Sequence, residues 1–84
     1  MAYNILVVDD EQSIADLVEL YLQNESYHVF KYYHGQDALN SLQKNHYDLA
    51  ILDVMMPDLD GFSLLKEIRK DYFFPVIMLT AKNN

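Results

Sequence analysis

Four short apolar runs punctuate the chain: Ile5-Leu6-Val7-Val8, Val29 to Tyr33, Leu49 to Leu52, and Val76 to Leu79. Three are rich in branched residues and read as strands. The second is broken by Lys31 and flanked by His28 and His34. Continuous apolar runs, rather than alternation, suggest strands covered on both faces, as in a parallel sheet. Between them lie helical stripes. Ile14, Leu17, Val18, Tyr21 and Leu22 fall on one face of a helix. Ala38, Leu39 and Leu42 give a shorter stripe opened by Gly35. Leu64, Leu65 and Ile68 give a third, with Asp60 as its N-cap. The pattern predicts β-α-β-α-β-α-β, with strands near 4–8, 28–32, 48–53 and 75–80. Such alternation means parallel strands joined by right-handed crossovers, hence an α/β fold with helices on both faces of the sheet. The last strand is very apolar and would make an exposed edge. This predicts a homodimer or segment-exchanged assembly through residues 75–80.

The 84 residues suffice for one domain only. With 51% hydrophobic and 23% charged residues, the chain has globular rather than disordered composition. It has no cysteine, so disulfides and thiolate metal sites are excluded and a reducing compartment is expected. The longest apolar runs are four residues, far short of a membrane span, and the start Met1-Ala2-Tyr3-Asn4 is unlike a signal peptide. A cytoplasmic location with no membrane partner is the resulting expectation. A net charge of -7 makes direct contact with nucleic acid or anionic lipid unfavourable. Gly35 and Gly61 stand too far apart to form a phosphate-cradling loop.

The positions of the acids carry more information than their number. In open α/β sheets, ligands bind beyond the carboxyl ends of the strands. Asp9-Asp10-Glu11 follow the first strand, Asp53 ends the third and Thr80 ends the fourth. If the first and third strands are neighbours, Asp9, Asp10 and Asp53 converge. Two unit charges about 5 Å apart repel by roughly 3 kcal/mol at an effective dielectric of 20. A proton raised onto one acid or a bound cation relieves this. Mg²⁺ suits the second remedy, since it takes one or two carboxylates and leaves positions for phosphate oxygens. A carboxylate beside it can then act as a nucleophile and form an aspartyl-phosphate.

Three ordered blocks carry a family resemblance across the whole chain. They are Ile5-Leu6-Val7-Val8-Asp9-Asp10-Glu11, Asp53-Val54-Met55-Met56-Pro57-Asp58-Leu59-Asp60-Gly61, and Val76-Ile77-Met78-Leu79-Thr80-Ala81. Together they resemble the receiver domain of bacterial two-component response regulators, in the winged-helix transcription-factor branch of vancomycin-resistance type. The resemblance implies a flavodoxin-like, CheY-like parallel sheet of order 2-1-3-4. It also implies that Asp53 is the phosphoacceptor, with Asp10, Asp53 and the backbone carbonyl of Met55 as Mg²⁺ ligands and Asp9 orienting metal-bound water. Thr80 matches the switch hydroxyl, Ala81 the small residue beside the pocket, and Pro57 and Gly61 the loop after the acceptor strand. A sensor histidine kinase is the implied phosphoryl donor.

Departures from the family pattern shape the remaining expectations. The chain reads as residues 1–84 of a receiver domain, without the fifth strand, the last helices or a DNA-binding effector domain. DNA contact would therefore come only through that effector. Lys82 lies too close to Thr80 to match the family's fifth-strand lysine, so weak or unstable phosphorylation is expected of this piece. Blander readings remain beside the sharp one. Asp9 and Asp10 can cap the following helix, and Asp53 can be a turn residue. Asp58, Asp60, Gly61 and Glu67 match part of a calcium loop, but Met56 and Pro57 occupy its first two positions. Two other functions compete. An aspartyl-phosphate phosphatase needs a second aspartate two residues after the first, where Met55 stands. A pure interaction module would use the apolar fourth strand.

Overall fold

Each apolar run forms a strand and each periodic stripe a helix. The computed structural model describes residues 2–80. The elements are β1 (Asn4–Val8), α1 (Gln12–Asn24), β2 (His28–Tyr32), α2 (Gly35–Ser41), β3 (Leu49–Asp53), α3 (Gly61–Ile68) and β4 (Val76–Leu79). Their bounds agree with the sequence pattern to within a residue for every strand. The sheet has the order β2-β1-β3-β4, and each pairing is parallel. The expected order and direction are both borne out.

The alternation of side chains along each strand divides the core. Leu6 and Val8 on β1 and Ala50 and Leu52 on β3 pack with Ala38, Leu42, Leu64 and Ile68 of α2 and α3. Leu6, Leu52, Leu64 and Ile68 are fully buried, each stabilising the fold by about 2 kcal/mol through removal from water. Ile5 and Val7 are buried on the opposite face, which α1 covers. The polar atoms inside are paired: Ser41 Oγ donates to the Ala38 carbonyl at 2.6 Å and lies 2.7 Å from the Tyr47 hydroxyl.

The predicted stripe of α1 needs correction. Leu17 and Tyr21 are 51% and 65% exposed, whereas Ala15 is completely buried, with Ile14, Val18 and Leu22 half-buried. The contact line runs along Ala15, whose small side chain lets the helix approach the sheet closely. Lys31 on β2 adds polar contacts to the helix, its ammonium donating to Asp16 and Glu19 at 2.7 Å each. Tyr33 adds its hydroxyl to Asp16 at 2.7 Å. These partners raise the Lys31 pKa above its ordinary value.

Register determines what happens at the sheet's edge. Val8 pairs with Leu52, so the next residues, Asp9 and Asp53, are level on neighbouring strands. Asp53 in turn pairs with Leu79, which puts Thr80 one residue further along the same rim.

Candidate functional site

Asp9 and Asp10 leave the end of β1, and Asp53 is the last residue of β3. One carboxylate oxygen from each lies within 4.8 Å of the others. Asp9 and Asp53 are 4% and 5% exposed, so two of the three charges have little water to screen them. Asp10 is half-buried. None of the ion pairs found among the described residues involves these three acids. At 4.8 Å each pair of charges repels by about 3 kcal/mol at an effective dielectric of 20.

That crowding is visible in Asp53. Burial, followed by the charge of Asp9 and the nearby carboxyl groups of Asp10 and Asp9, pushes its pKa up to about 6. The Met55 backbone N–H opposes the shift by donating to Asp53 Oδ1 at 3.2 Å. The donor set consists of hard anionic oxygens without a soft or nitrogen ligand. It fits Mg²⁺ chemistry, which favours a few carboxylates with remaining positions left to water and phosphate. The capping reading of the first two acids is not supported. The N-cap of α1 is Glu11, with no side-chain cap bond, while Asp9 Oδ1 accepts the Glu11 N–H at 3.0 Å and so fixes the turn.

The loop from Val54 to Asp60 carries the rest of the site. Met56 is 6% exposed and anchors the loop in the core, whereas Met55 is 70% exposed at the rim. Adjacent residues thus face opposite ways, one inward and one out. The Gly61 N–H returns to the Val54 carbonyl at 3.0 Å. A Cβ at Gly61 would stand 2.3 Å from the Asp53 carbonyl oxygen, so only glycine permits α3 to start this close to the acceptor strand. Asp60 caps α3 as expected, accepting the Ser63 N–H at 2.9 Å.

Asp58 does more than its partial calcium-loop match implies. Its carboxylate reaches across to the start of α2, accepting the Gln36 N–H at 3.0 Å and the Gly35 N–H at 3.3 Å. These bonds hold its pKa below the ordinary carboxylate value. The calcium-loop reading fails, because Asp58 and Asp60 face two different helix starts. The missing sequence signal was at His34, which precedes α2 and provides no side-chain cap. Thr80 lies on the acidic rim and is exposed, outside the carboxylate cluster itself. Ala81 and Lys82 lie outside the described residues. His28, His34 and His46 are all exposed.

A parallel α/β sheet of order β2-β1-β3-β4, with three acids meeting beyond its central strands, is an arrangement that known proteins share. The model of the response regulator receiver domain matches residues 5–84. The chain is 57% identical over 82 residues to the regulatory protein VanRc of Enterococcus gallinarum. It is 53% identical over 83 residues to the regulatory protein VanR of Enterococcus faecium. These alignments cover 98% and 99% of the chain but 36% of each relative, so the chain spans about a third of their length. Among solved structures, chemotaxis protein CheY4 of Vibrio cholerae superposes with a TM-score of 0.94 at 37% identity, over 100% of this chain and 72% of that one. The response regulator TrrA of Thermotoga maritima, in complex with Mg²⁺-BeF, gives 0.89 at 40% identity over 99% and 72%. The chain belongs to the response regulator receiver domain family, close to VanR-type regulators.

Proposed function

We propose that this chain accepts a phosphoryl group on Asp53 in a Mg²⁺-dependent reaction and switches its surface in response. The observation that carries the reading is the convergence of Asp9, Asp10 and Asp53 within 4.8 Å, with no described cation beside them. Asp10, Asp53 and the Met55 carbonyl would hold the ion directly, and Asp9 would hold it through water. When bound, Mg²⁺ neutralises charge on the phosphoryl oxygens and favours in-line transfer. An Asp53 carboxylate oxygen attacks the phosphorus of a phosphohistidine on a sensor kinase. The phosphorus–nitrogen bond breaks, its electron pair stays on the imidazole nitrogen, and that nitrogen takes up a proton. Thr80, one residue beyond the Leu79 that pairs with Asp53, would then meet the new phosphoryl group with its hydroxyl. The added charge biases a two-state surface. The chain is consumed and regenerated as an acceptor rather than turning over a separate substrate, so it is not an enzyme in the usual sense. In longer proteins of VanR type, this switch would govern a transcriptional output domain that contacts DNA.

The test is ¹⁹F NMR of the chain with beryllofluoride, a phosphoryl mimic. A bound fluorine signal should appear with Mg²⁺, vanish with a chelator and be absent from Asp53→Asn. No bound signal, or one that persists in Asp53→Asn, contradicts the proposal.

A second reading concerns self-association. Among the described strands, β4 pairs only with β3, and Ile77 on it is 48% exposed. We propose that the isolated chain pairs along residues 75–80 into a homodimer or segment-exchanged assembly. Light scattering should show mass rising with concentration and Ile77→Lys suppressing the rise. A strict monomer at high concentration would rule it out.

A further inference from the structure

The Met55 carbonyl is a useful ligand only if the loop that bears it is held still. On the α3 side, the loop is tied by the Gly61 N–H on the Val54 carbonyl and by Asp60 on Ser63. Its other limb, Met55 to Leu59, has no such tie to α3. Its base is held by the Met55 N–H on Asp53 Oδ1 and by buried Met56, and its far end by the pair of bonds from the N-terminus of α2 to Asp58, at 3.0 and 3.3 Å. A second contact sits beside it. A Cβ at Gly35 would stand 2.7 Å from the Leu59 carbonyl oxygen, so α2 and the loop touch backbone to backbone here. Asp58 is exposed, three residues beyond Met55, and does not belong to the carboxylate cluster.

We propose that Asp58 is a positioning residue: by clamping the β3–α3 loop to the start of α2, it sets the Met55 carbonyl for the cation held by Asp10 and Asp53. The inference rests on the metal reading above. It couples a helix end outside the carboxylate cluster to the affinity of the site. A carboxylate accepting two backbone N–H groups locks both the rotation and the depth of the loop. Without it, the Met55 limb samples positions from which the carbonyl does not face the cation, and binding then includes the cost of ordering it.

Isothermal titration of the full chain with MgCl₂ separates the possibilities, with melting in chelator run alongside. Asp58→Ala should raise the Mg²⁺ Kd on the order of three- to tenfold, less than loss of a direct outer-shell partner. Asp58→Asn keeps an acceptor oxygen and should recover most of the affinity, although it lacks the charge. Gly35→Ala disturbs the same contact from the other side and should weaken Mg²⁺ while leaving every acid in place. Three results overturn the role. Asp58→Ala can lower the melting temperature yet leave the Kd unchanged, which makes the residue a helix cap only. Asp58→Asn can weaken binding as much as Asp58→Ala, which makes the effect one of charge. A wild-type chain that binds no Mg²⁺ removes the metal reading and this inference with it, whereas wild-type binding with an unaffected Asp58→Ala removes the inference alone.

Discussion

Replacing Asp53 by asparagine should make the metal-free chain more stable at neutral pH, although it removes the central functional group. The reason is the cost of holding an anion beside two others. The Asp53 pKa is raised from 3.8 to about 6, mainly by burial and then by Asp9. The native state therefore holds a proton at pH values where the unfolded chain has released it. This group favours folding least above pH 6, and the penalty fades as pH falls from about 6 towards 3.8. A shift of that size corresponds to about 3 kcal/mol as a ceiling. Relaxation of the native state around the charge makes the realised penalty smaller, on the order of 1–2 kcal/mol. Asparagine keeps an oxygen for the Met55 N–H, so that bond survives. For a domain of this size each kcal/mol moves the melting temperature by about 4–8 °C. Circular-dichroism melts in chelator at pH 7.5 should thus favour Asp53→Asn by several degrees, with the advantage disappearing near pH 4. Saturating Mg²⁺ should reverse the order, because the ion stabilises only the state that binds it. An asparagine variant no more stable than wild type in chelator, or one whose advantage does not change with pH, refutes the electrostatic reasoning.

Gly61→Ala should destabilise the chain by about 3 kcal/mol, since the new methyl group meets the Asp53 carbonyl oxygen at 2.3 Å and the Met78 methyl at 2.8 Å. Denaturant melts check this, and an unchanged midpoint refutes it. Leu64→Ala, at a fully buried position of α3, should cost about 2–5 kcal/mol by the same measurement. Lys31→Met should lower the melting temperature at low salt, with the difference from wild type shrinking in concentrated NaCl as the Asp16 and Glu19 contacts are screened.

The strands were legible because their signal is local. Three of the four apolar runs are continuous and rich in branched residues, a pattern that favours a parallel layout; β1 and β3 are buried within it, whereas the edge strands β2 and β4 are only partly covered. The acid cluster was legible one step further on, because strand order and register together decide which residues share a rim. Once Val8 faces Leu52, Asp9 and Asp53 must be level. The rotation of α1 was not legible. Leu17 and Tyr21 fit the stripe as well as Ile14 does, and only packing on the sheet shows that Ala15 is the buried position. Asp58 was missed for the same reason. Its partners at Gly35 and Gln36 lie more than twenty residues earlier, and only the folded chain brings that helix end to the loop.

The central claim is that the three carboxylates tolerate one another because they form a divalent-cation site. Calorimetric titration of Mg²⁺ into the chain at neutral pH, beside Asp10→Asn, tests it most directly. One ion per chain should bind the wild type, and the variant should lose at least about tenfold in affinity. Equal binding by the two proteins, or no binding by either, contradicts the account.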